Sequence, residues 1–132
     1  RLGTCRFIVQ AWVGPGVELL IGARRDASFG PVVAVGSGGI LAEVIRDVSF
    51  RLPPLDRDEA RAMWLEGARA RLLAGPRGLP ACDIEPLVDA AVAVGELMLG
   101  EPRVLELDLN PVIAAGSSAL AVDALVIVGD AE

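Results

Sequence analysis

Residues 104–111 read Val-Leu-Glu-Leu-Asp-Leu-Asn-Pro, so apolar and polar side chains alternate along this segment. Such a period of two is typical of a β-strand, whose successive side chains leave the sheet on opposite faces. The pattern predicts a strand over 103–114, with Leu105 and the leucines that follow it on one face. Glu106, Asp108 and Asn110 form a row on the other face, where three oxygen-bearing side chains make a candidate ligand site.

A second apolar run at 119–128 follows a turn at Gly116 and Ser117, which predicts a hairpin. With a two-residue loop, Asn110 lies directly opposite Asp123, and the Cβ atoms of such a pair are about 4.5–5.5 Å apart. Asp123 interrupts a run that we expect to be buried, where a charge is costly unless it is paired or metal-bound. Few ligands, all of them oxygen, favour Mg²⁺. An ordinary solvated strand face remains the alternative.

The rest of the chain predicts further strands and two helices. Asp56 and Glu59 form a capping box before an amphipathic helix that continues through Leu72 and ends before Gly75. Asp83 caps a second, nearly wholly apolar helix that we expect to be buried. The remaining strands are predicted at 6–13, 17–25, 32–35 and 40–52. This order predicts one α+β domain over 1–132, with an antiparallel or mixed sheet packed against two helices.

The basic residues narrow the chemistry available to this chain. It contains no His, and all 12 of its Lys and Arg residues are Arg. A Ser-His-Asp triad, a phosphohistidine, a Lys Schiff base and a Walker-type lysine are therefore excluded within these 132 residues.

Charge and cysteine content indicate where the protein works. With 18 acidic residues against 12 basic ones, the net charge is −6, so nucleic acid and anionic membranes are poor partners. Cys5 and Cys82 lie far apart, without the spacing of a disulfide framework, which favours a reducing compartment. We expect a cytoplasmic protein.

Two weaker features could hold phosphate. The Gly36-Ser37-Gly38-Gly39 segment permits close backbone approach to a phosphate, but it matches no phosphate-loop motif and is more typical of a turn. Arg24 and Arg25 could hold phosphate oxygens as a fork, with a solvated hairpin end as the alternative. Glu18 could accept hydrogen bonds from sugar hydroxyls, or could face water.

Several segments together resemble the carboxyl-terminal half of the ATP-grasp domain of NDP-forming acyl-CoA synthetases, which are relatives of the succinyl-CoA synthetase β subunit. The matching segments, in order, are 16–26, 29–33, 38–39, 50–55 and 106–111. The resemblance implies that the chain binds ATP or ADP together with Mg²⁺. It implies site roles for seven residues: Asn110 and Asp123 as Mg²⁺ ligands, Asp108 as their acidic neighbour, Gln10 at the adenine hinge, Glu18 as the acidic contact to the nucleotide, and Gly38 and Gly39 as the glycine pair of the central sheet.

The resemblance also implies what this chain lacks. The family needs a basic residue over the phosphates and passes the phosphoryl group through a histidine, so both must come from further sequence or from another subunit that carries the CoA-binding domain. We therefore expect a fragment of a longer enzyme, inactive alone, whose parent converts acid, CoA and ATP to acyl-CoA, ADP and phosphate. A nucleotide- or CoA-sensing regulatory module of a protein acetyltransferase is the alternative. A stable α+β domain without a ligand is the third possibility.

Overall fold

The computed structural model describes residues 7–39, 47–75 and 81–129. Cys5, Arg6 and the first part of the strand predicted at 40–52 lie outside the described residues. Within these ranges the elements are β1 Val17–Asp26, β2 Gly30–Ser37, β3 Val48–Arg51, α1 Arg57–Trp64, α2 Arg69–Leu73, α3 Glu85–Gly100, β4 Val104–Ala115, β5 Ser118–Ala121 and β6 Ala124–Val128.

The described strands form one antiparallel sheet in the order β3-β2-β1-β4-β5, and β6 also pairs with β4. The helices pack on one face of this sheet, as predicted for an α+β fold. Leu19 and Ile21 of β1 and Val33 of β2 are fully buried on that face. Trp64 of α1 is also buried there, and its Nε1 donates to the Leu87 carbonyl oxygen of α3 at 3.0 Å. The opposite face of the sheet carries exposed side chains such as Glu18.

The hairpin between β1 and β2 forms as the sequence predicts. Asp26 Oδ1 accepts hydrogen bonds from the backbone N–H groups of Ser28 and Phe29 at 2.8 and 3.1 Å, which closes the turn. These backbone hydrogen bonds are the main cause that lowers the pKa of Asp26 below its usual value. Gly30 completes the turn with a φ of 73°, a conformation that glycine adopts without strain.

The strand predicted at 6–13 is wrong for its described part. Residues 7–13 are in no strand, and Val9 and Trp12 are 95% and 91% exposed. The described sheet, in the order β3-β2-β1-β4-β5 with β6 on β4, does not include this segment. The segment therefore has no partner strand in the described part of the chain, and an unpaired strand has little stability of its own.

The first predicted helix is interrupted. Its capping box is confirmed, because Asp56 accepts a hydrogen bond from Glu59 N at 2.8 Å. The helix nevertheless stops after Trp64 and resumes at Arg69. Gly67, with a φ of 64°, lies in the break. The predicted single helix is thus two short ones, because a residue in the left-handed region cannot continue an α-helix.

The second predicted helix, α3, is buried along one side only. Leu87, Ala91 and Met98 are fully buried, whereas Leu97 and Leu99 are exposed. Ile84 occupies the N-cap position, one residue after the predicted cap, although Asp83 Oδ1 still accepts from Glu85 N at 3.0 Å. In the described ranges, no helix combines the length and apolar character needed to cross a membrane.

A buried polar cluster, which the sequence did not indicate, fastens the helix break to the sheet. Arg69 is fully buried and donates to the Asp47 carboxylate at 2.9 Å, the Ser49 hydroxyl at 2.5 Å and the Met63 carbonyl at 2.7 Å. Asp47 also accepts from the Arg69 backbone N–H at 2.8 Å. A Cβ on Gly67 would collide with the Asp47 carboxylate. The cluster therefore requires glycine at this position for both its conformation and its space.

Glu66 extends this cluster to the surface. Its carboxylate accepts from the Ser49 hydroxyl and from the Arg51 guanidinium. The hydrogen bond from Ser49 is the main cause that lowers the pKa of Glu66, with Arg51 adding to the effect. The ionised form of Glu66 consequently stabilises the folded protein.

Replacing Gly67 with Ala should destabilise the protein by about 1–3 kcal/mol, because the side chain forces a strained φ and displaces Asp47. Urea unfolding followed by circular dichroism measures the change. Gly100→Ala is the matched control, since a Cβ there meets open space. Equal stability of the two variants would contradict the assigned role of Gly67.

Glu66→Gln should lower the free energy of unfolding at pH 7, and the deficit should shrink as the pH falls. A carboxyl whose pKa is lowered on folding contributes its full stability above the unfolded-state pKa of about 4.3 and loses it as the pH falls through the folded-state value. Thermal unfolding between pH 7 and pH 3 measures this. Glu96→Gln, at an exposed site on α3, should stay within about 0.5 kcal/mol of wild type. A deficit for Glu66→Gln that did not change with pH would contradict the interpretation.

Candidate functional site

The turn at Gly116 and Ser117 sets the predicted register of the last hairpin. Ala115 pairs with Ser118 and Val112 with Ala121, and after a short break Leu109 pairs with Ala124. Within that break, Asn110 N donates to the Asp123 carbonyl oxygen at 3.3 Å. Asn110 therefore lies opposite Asp123, and this part of the prediction is confirmed.

Both side chains lie on the open face of the sheet. Leu109 pairs with the fully buried Ile21 and packs against the core, so Asp108 and Asn110 on either side of it point the other way. Directly opposed residues of a hairpin share a face, so Asp123 joins them. Asn110 and Asp123 are both exposed, and Asp123 Oδ1 accepts from Ala124 N at 2.9 Å. An amide and a carboxylate thus stand side by side, accessible to a ligand.

The surroundings of Asp123 differ from the prediction. The run expected to be buried is exposed throughout β6, with Leu125 at 55%, because among the described strands β6 pairs with β4 alone and none of the described helices covers it. The cost of burying a charge therefore does not explain Asp123. Its candidate role depends on the register alone.

The leucine face of β4 is also less regular than predicted. The pairing of β4 with β6 shifts between Val104 and Glu106, and this irregularity leaves Leu105 42% exposed while Val104 and Leu107 are buried. That shift lies before the polar row, but the pairing of β4 with β1 shifts again between Leu109 and Val112, beside Asn110.

Asp108 is the carboxyl of this row with a clearly altered titration. Its pKa is raised, first by partial burial and then by the negative charges of Glu106 and Asp123. The two neighbouring carboxylates create a local negative potential around Asp108. A cation bound here would relieve that repulsion.

A groove of about 300 Å³ lies along the same face. Gly22 of β1 faces Asp108 of β4 in register and, lacking a side chain, leaves the floor of the groove open. The groove is lined by Gly22, Ala23, Arg24, Asp26, Val32, Ala34, Phe50, Glu106, Leu107 and Asp108. Its chemistry is acidic on the β4 side and apolar on the side of β2 and β3.

Glu18, Gly38 and Gly39 come together at the other end of β1. Gly38 N donates to the Glu18 carbonyl oxygen at 2.8 Å, and a Cβ on Gly38 would lie 2.6 Å from the Leu19 carbonyl oxygen. Gly39, with a φ of 62°, packs against the Glu18 carboxylate. The glycine pair thus lets the chain after β2 approach β1 closely, as the turn interpretation of this segment predicts.

A depression of about 480 Å³ adjoins Glu18 on the open face, between Ile113 and the segment around Trp12. Gln10 lies in this amino-terminal segment and is exposed, and the structure does not bring it against the other predicted site residues. The predicted residues therefore form two groups, one around Glu18 and one around Asp108, Asn110 and Asp123.

The donor set of the second group suits Mg²⁺. Within the described ranges, no three His, Cys, Asp or Glu side chains lie close enough to hold a metal by themselves. Asp108, Asn110 and Asp123 offer two carboxylates and one amide oxygen. Mg²⁺ commonly keeps several waters and takes only one or two carboxylates together with substrate phosphates, so a sparse set of oxygen ligands fits this ion.

The structure separates the two arginines that the sequence placed together. Arg25 donates to the Val104 carbonyl at 2.9 Å, the Glu101 carbonyl at 3.0 Å and the Met98 carbonyl, and so holds the carboxyl end of α3. Arg24 points to the open face and lines the groove. The predicted two-arginine fork is therefore wrong.

Sequence reasoning missed Phe50, which is exposed and lines the groove. The signal was available in the period of two, because Phe50 follows the buried Ser49 on β3 and must leave the sheet on the opposite face. The predicted strand at 40–52 was longer than the described β3, so it did not indicate which face of the sheet Phe50 occupies.

Comparisons with known proteins agree with this architecture. A family model of the ATP-grasp domain matches residues 3–128. The chain is 45% identical over 120 residues to the β subunit of acetate–CoA ligase [ADP-forming] I from Pyrococcus furiosus, a match that covers 91% of this chain and 52% of that subunit. It is 42% identical over 123 residues to acetate–CoA ligase [ADP-forming] I from Archaeoglobus fulgidus, covering 93% of this chain and 18% of that protein.

A solved structure extends the likeness to three dimensions. The dinucleotide-forming acetyl-coenzyme A synthetase 1 of Ca. Korarchaeum cryptofilum, in complex with coenzyme A and Mg-AMPPCP, superposes with a TM-score of 0.85 at 44% identity. The match covers 89% of this chain and 55% of that one, so the chain spans about half or less of the length of these relatives. The chain belongs to the ATP-grasp family, and its resemblance to the NDP-forming acyl-CoA synthetases is confirmed.

Proposed function

We propose that this chain is the subdomain that binds ATP or ADP with Mg²⁺ in an ADP-forming acyl-CoA synthetase. The parent enzyme would interconvert acid, CoA and ATP with acyl-CoA, ADP and phosphate. The observation that carries the proposal is the placement of Asn110 opposite Asp123 on the open face of an ATP-grasp sheet, beside the groove that Asp108 lines.

The three oxygen-bearing residues would hold the metal. Asn110 and Asp123 would contribute one oxygen each, and Asp108 would coordinate directly or through water. Mg²⁺ held by these residues would supply positive charge that offsets the charge of the phosphates. The protein residues fix the orientation of the phosphate chain, because β4 and its partner strands hold all three ligands on one face.

The remaining predicted residues would bind the nucleoside. Glu18 borders the depression near Trp12 and would accept hydrogen bonds from ribose hydroxyls. Gly38 and Gly39 pack against the Glu18 segment, and their backbone would approach a phosphate closely. Gln10 would reach the adenine from the amino-terminal segment.

The rest of the reaction requires groups from outside this stretch. The chain supplies neither Lys nor His, so a basic residue over the phosphates and a phosphohistidine would come from the remainder of the enzyme or a second subunit. The Korarchaeum synthetase has a phosphohistidine segment that points towards its nucleotide binding site. CoA and the acyl substrate would bind to that same remainder, in the cytoplasm.

The comparisons favour this function over the regulatory module of a protein acetyltransferase, because the relatives named above are acetate–CoA ligases. The distinguishing experiment is an assay of the full-length protein, with its partner subunit if it has one. Formation of ADP and phosphate that depends on both CoA and a carboxylic acid is the expected result. Nucleotide binding without CoA-dependent turnover would contradict the ligase function.

Asp123→Asn should weaken binding of Mg-ADP to the full-length protein by about tenfold to a hundredfold, as expected for loss of a charged contact. Asn can still accept the hydrogen bond from Ala124 N, so the local backbone is retained. Isothermal titration with Mg-ADP, and with ADP in EDTA, measures the effect. Only the Mg-ADP titration should change.

Glu96→Gln removes one negative charge from the helical layer and is the matched control for that titration. Its affinity for Mg-ADP should equal that of wild type. Equal affinity of Asp123→Asn and Glu96→Gln would remove the metal site from the proposal.

A further inference from the structure

Arg24 and Arg25 are neighbours in sequence but serve different parts of the molecule. Arg25 is committed to three backbone carbonyls at the end of α3. Arg24 is exposed on the open face and forms no ion pair with the described residues. The packing of α3 on the sheet needs Arg25, whereas the guanidinium of Arg24 is available to a ligand.

The position of Arg24 along β1 relates it to the proposed nucleotide. Glu18 marks the nucleoside end of the strand, and Gly22 faces Asp108, the acidic residue beside the proposed metal ligands. Arg24 lies two residues beyond Gly22, about 7 Å further from Glu18. A nucleotide that extends from Glu18 past the metal would therefore present its terminal phosphate towards Arg24.

The charge of the groove makes Arg24 distinctive. The described lining of the groove contains three carboxylates, Asp26, Glu106 and Asp108, and one basic side chain, that of Arg24. Asp26 is already engaged by the turn, where its Oδ1 accepts two backbone hydrogen bonds. Arg24 faces Glu106 in register, and this pairing would keep the guanidinium near the groove in the absence of phosphate.

The chemistry of the side chain suits a phosphate. Guanidinium presents N–H donors in a planar fork that matches two phosphate oxygens, and it stays charged at every physiological pH. Since the chain has no Lys or His, arginine is the basic side chain that it can offer to a phosphate.

We propose that Arg24 binds the terminal, transferable phosphate of the nucleotide, on the side of the metal away from the nucleoside. This inference rests on the proposed function and adds a residue that the family resemblance did not supply. It makes Arg24 a discriminator between nucleoside triphosphate and diphosphate, since the diphosphate ends before it.

The test compares two nucleotides on the full-length protein by isothermal titration. Arg24→Gln should weaken binding of Mg-AMPPCP about tenfold and leave binding of Mg-ADP within about twofold of wild type. Arg24→Lys keeps the charge without the fork, so its affinity for Mg-AMPPCP should lie between those of wild type and Arg24→Gln. Arg71→Gln, at an exposed site on α2, is the matched control and should bind both nucleotides as wild type does.

The outcomes separate this inference from the proposed function. Unchanged affinity of Arg24→Gln for Mg-AMPPCP, or an equal loss for both nucleotides, would overturn the role of Arg24 while leaving nucleotide binding in place. Failure of the wild-type protein to bind either nucleotide would overturn the proposed function, and the inference with it.

Discussion

The turn at Gly116 and Ser117 determines which residues of the last hairpin face each other, and the candidate site depends on that pairing. A slip of one residue would move Asp123 to the opposite face of the sheet and separate it from Asn110. The ladder from Ala115 and Ser118 to Leu109 and Ala124 fixes the register on both sides of the site. Because β4 is also paired with β1, the same ladder connects these ligands to Gly22, Arg24 and the groove.

The two faces of the sheet divide structure from function. The face that meets the helices is closed by Leu19, Ile21 and Trp64 and by the buried cluster around Arg69, whose two terminal guanidinium nitrogens donate to protein partners. On the open face, partial burial and then the neighbouring charges of Glu106 and Asp123 raise the pKa of Asp108, and no ion pair among the described residues involves these three carboxylates. The charged groups on the helix-covered face thus pair within the protein, whereas the carboxylates on the open face are accessible to a ligand.

Local patterns predicted most of the fold and the register of the hairpin that carries the candidate site. The hairpin register and the Asp56 capping box follow from residues close in sequence, so the sequence was sufficient for them. The break at Gly67 could not be predicted in this way, because it depends on Asp47, which is distant along the chain. The exposure of 7–13 and of β6 was also missed, since an apolar run indicates a strand but not whether the rest of the fold covers it.

The most direct test of the central claim is the position of the metal itself. Crystals of the full-length protein with Mn²⁺ in place of Mg²⁺ and with AMPPCP would show the ion by anomalous scattering. The account predicts one anomalous peak within coordination distance of the Asn110 amide oxygen and the Asp123 carboxylate, on the face that carries Glu18 and Arg24. A peak bound elsewhere, with those two side chains free of metal, would contradict it.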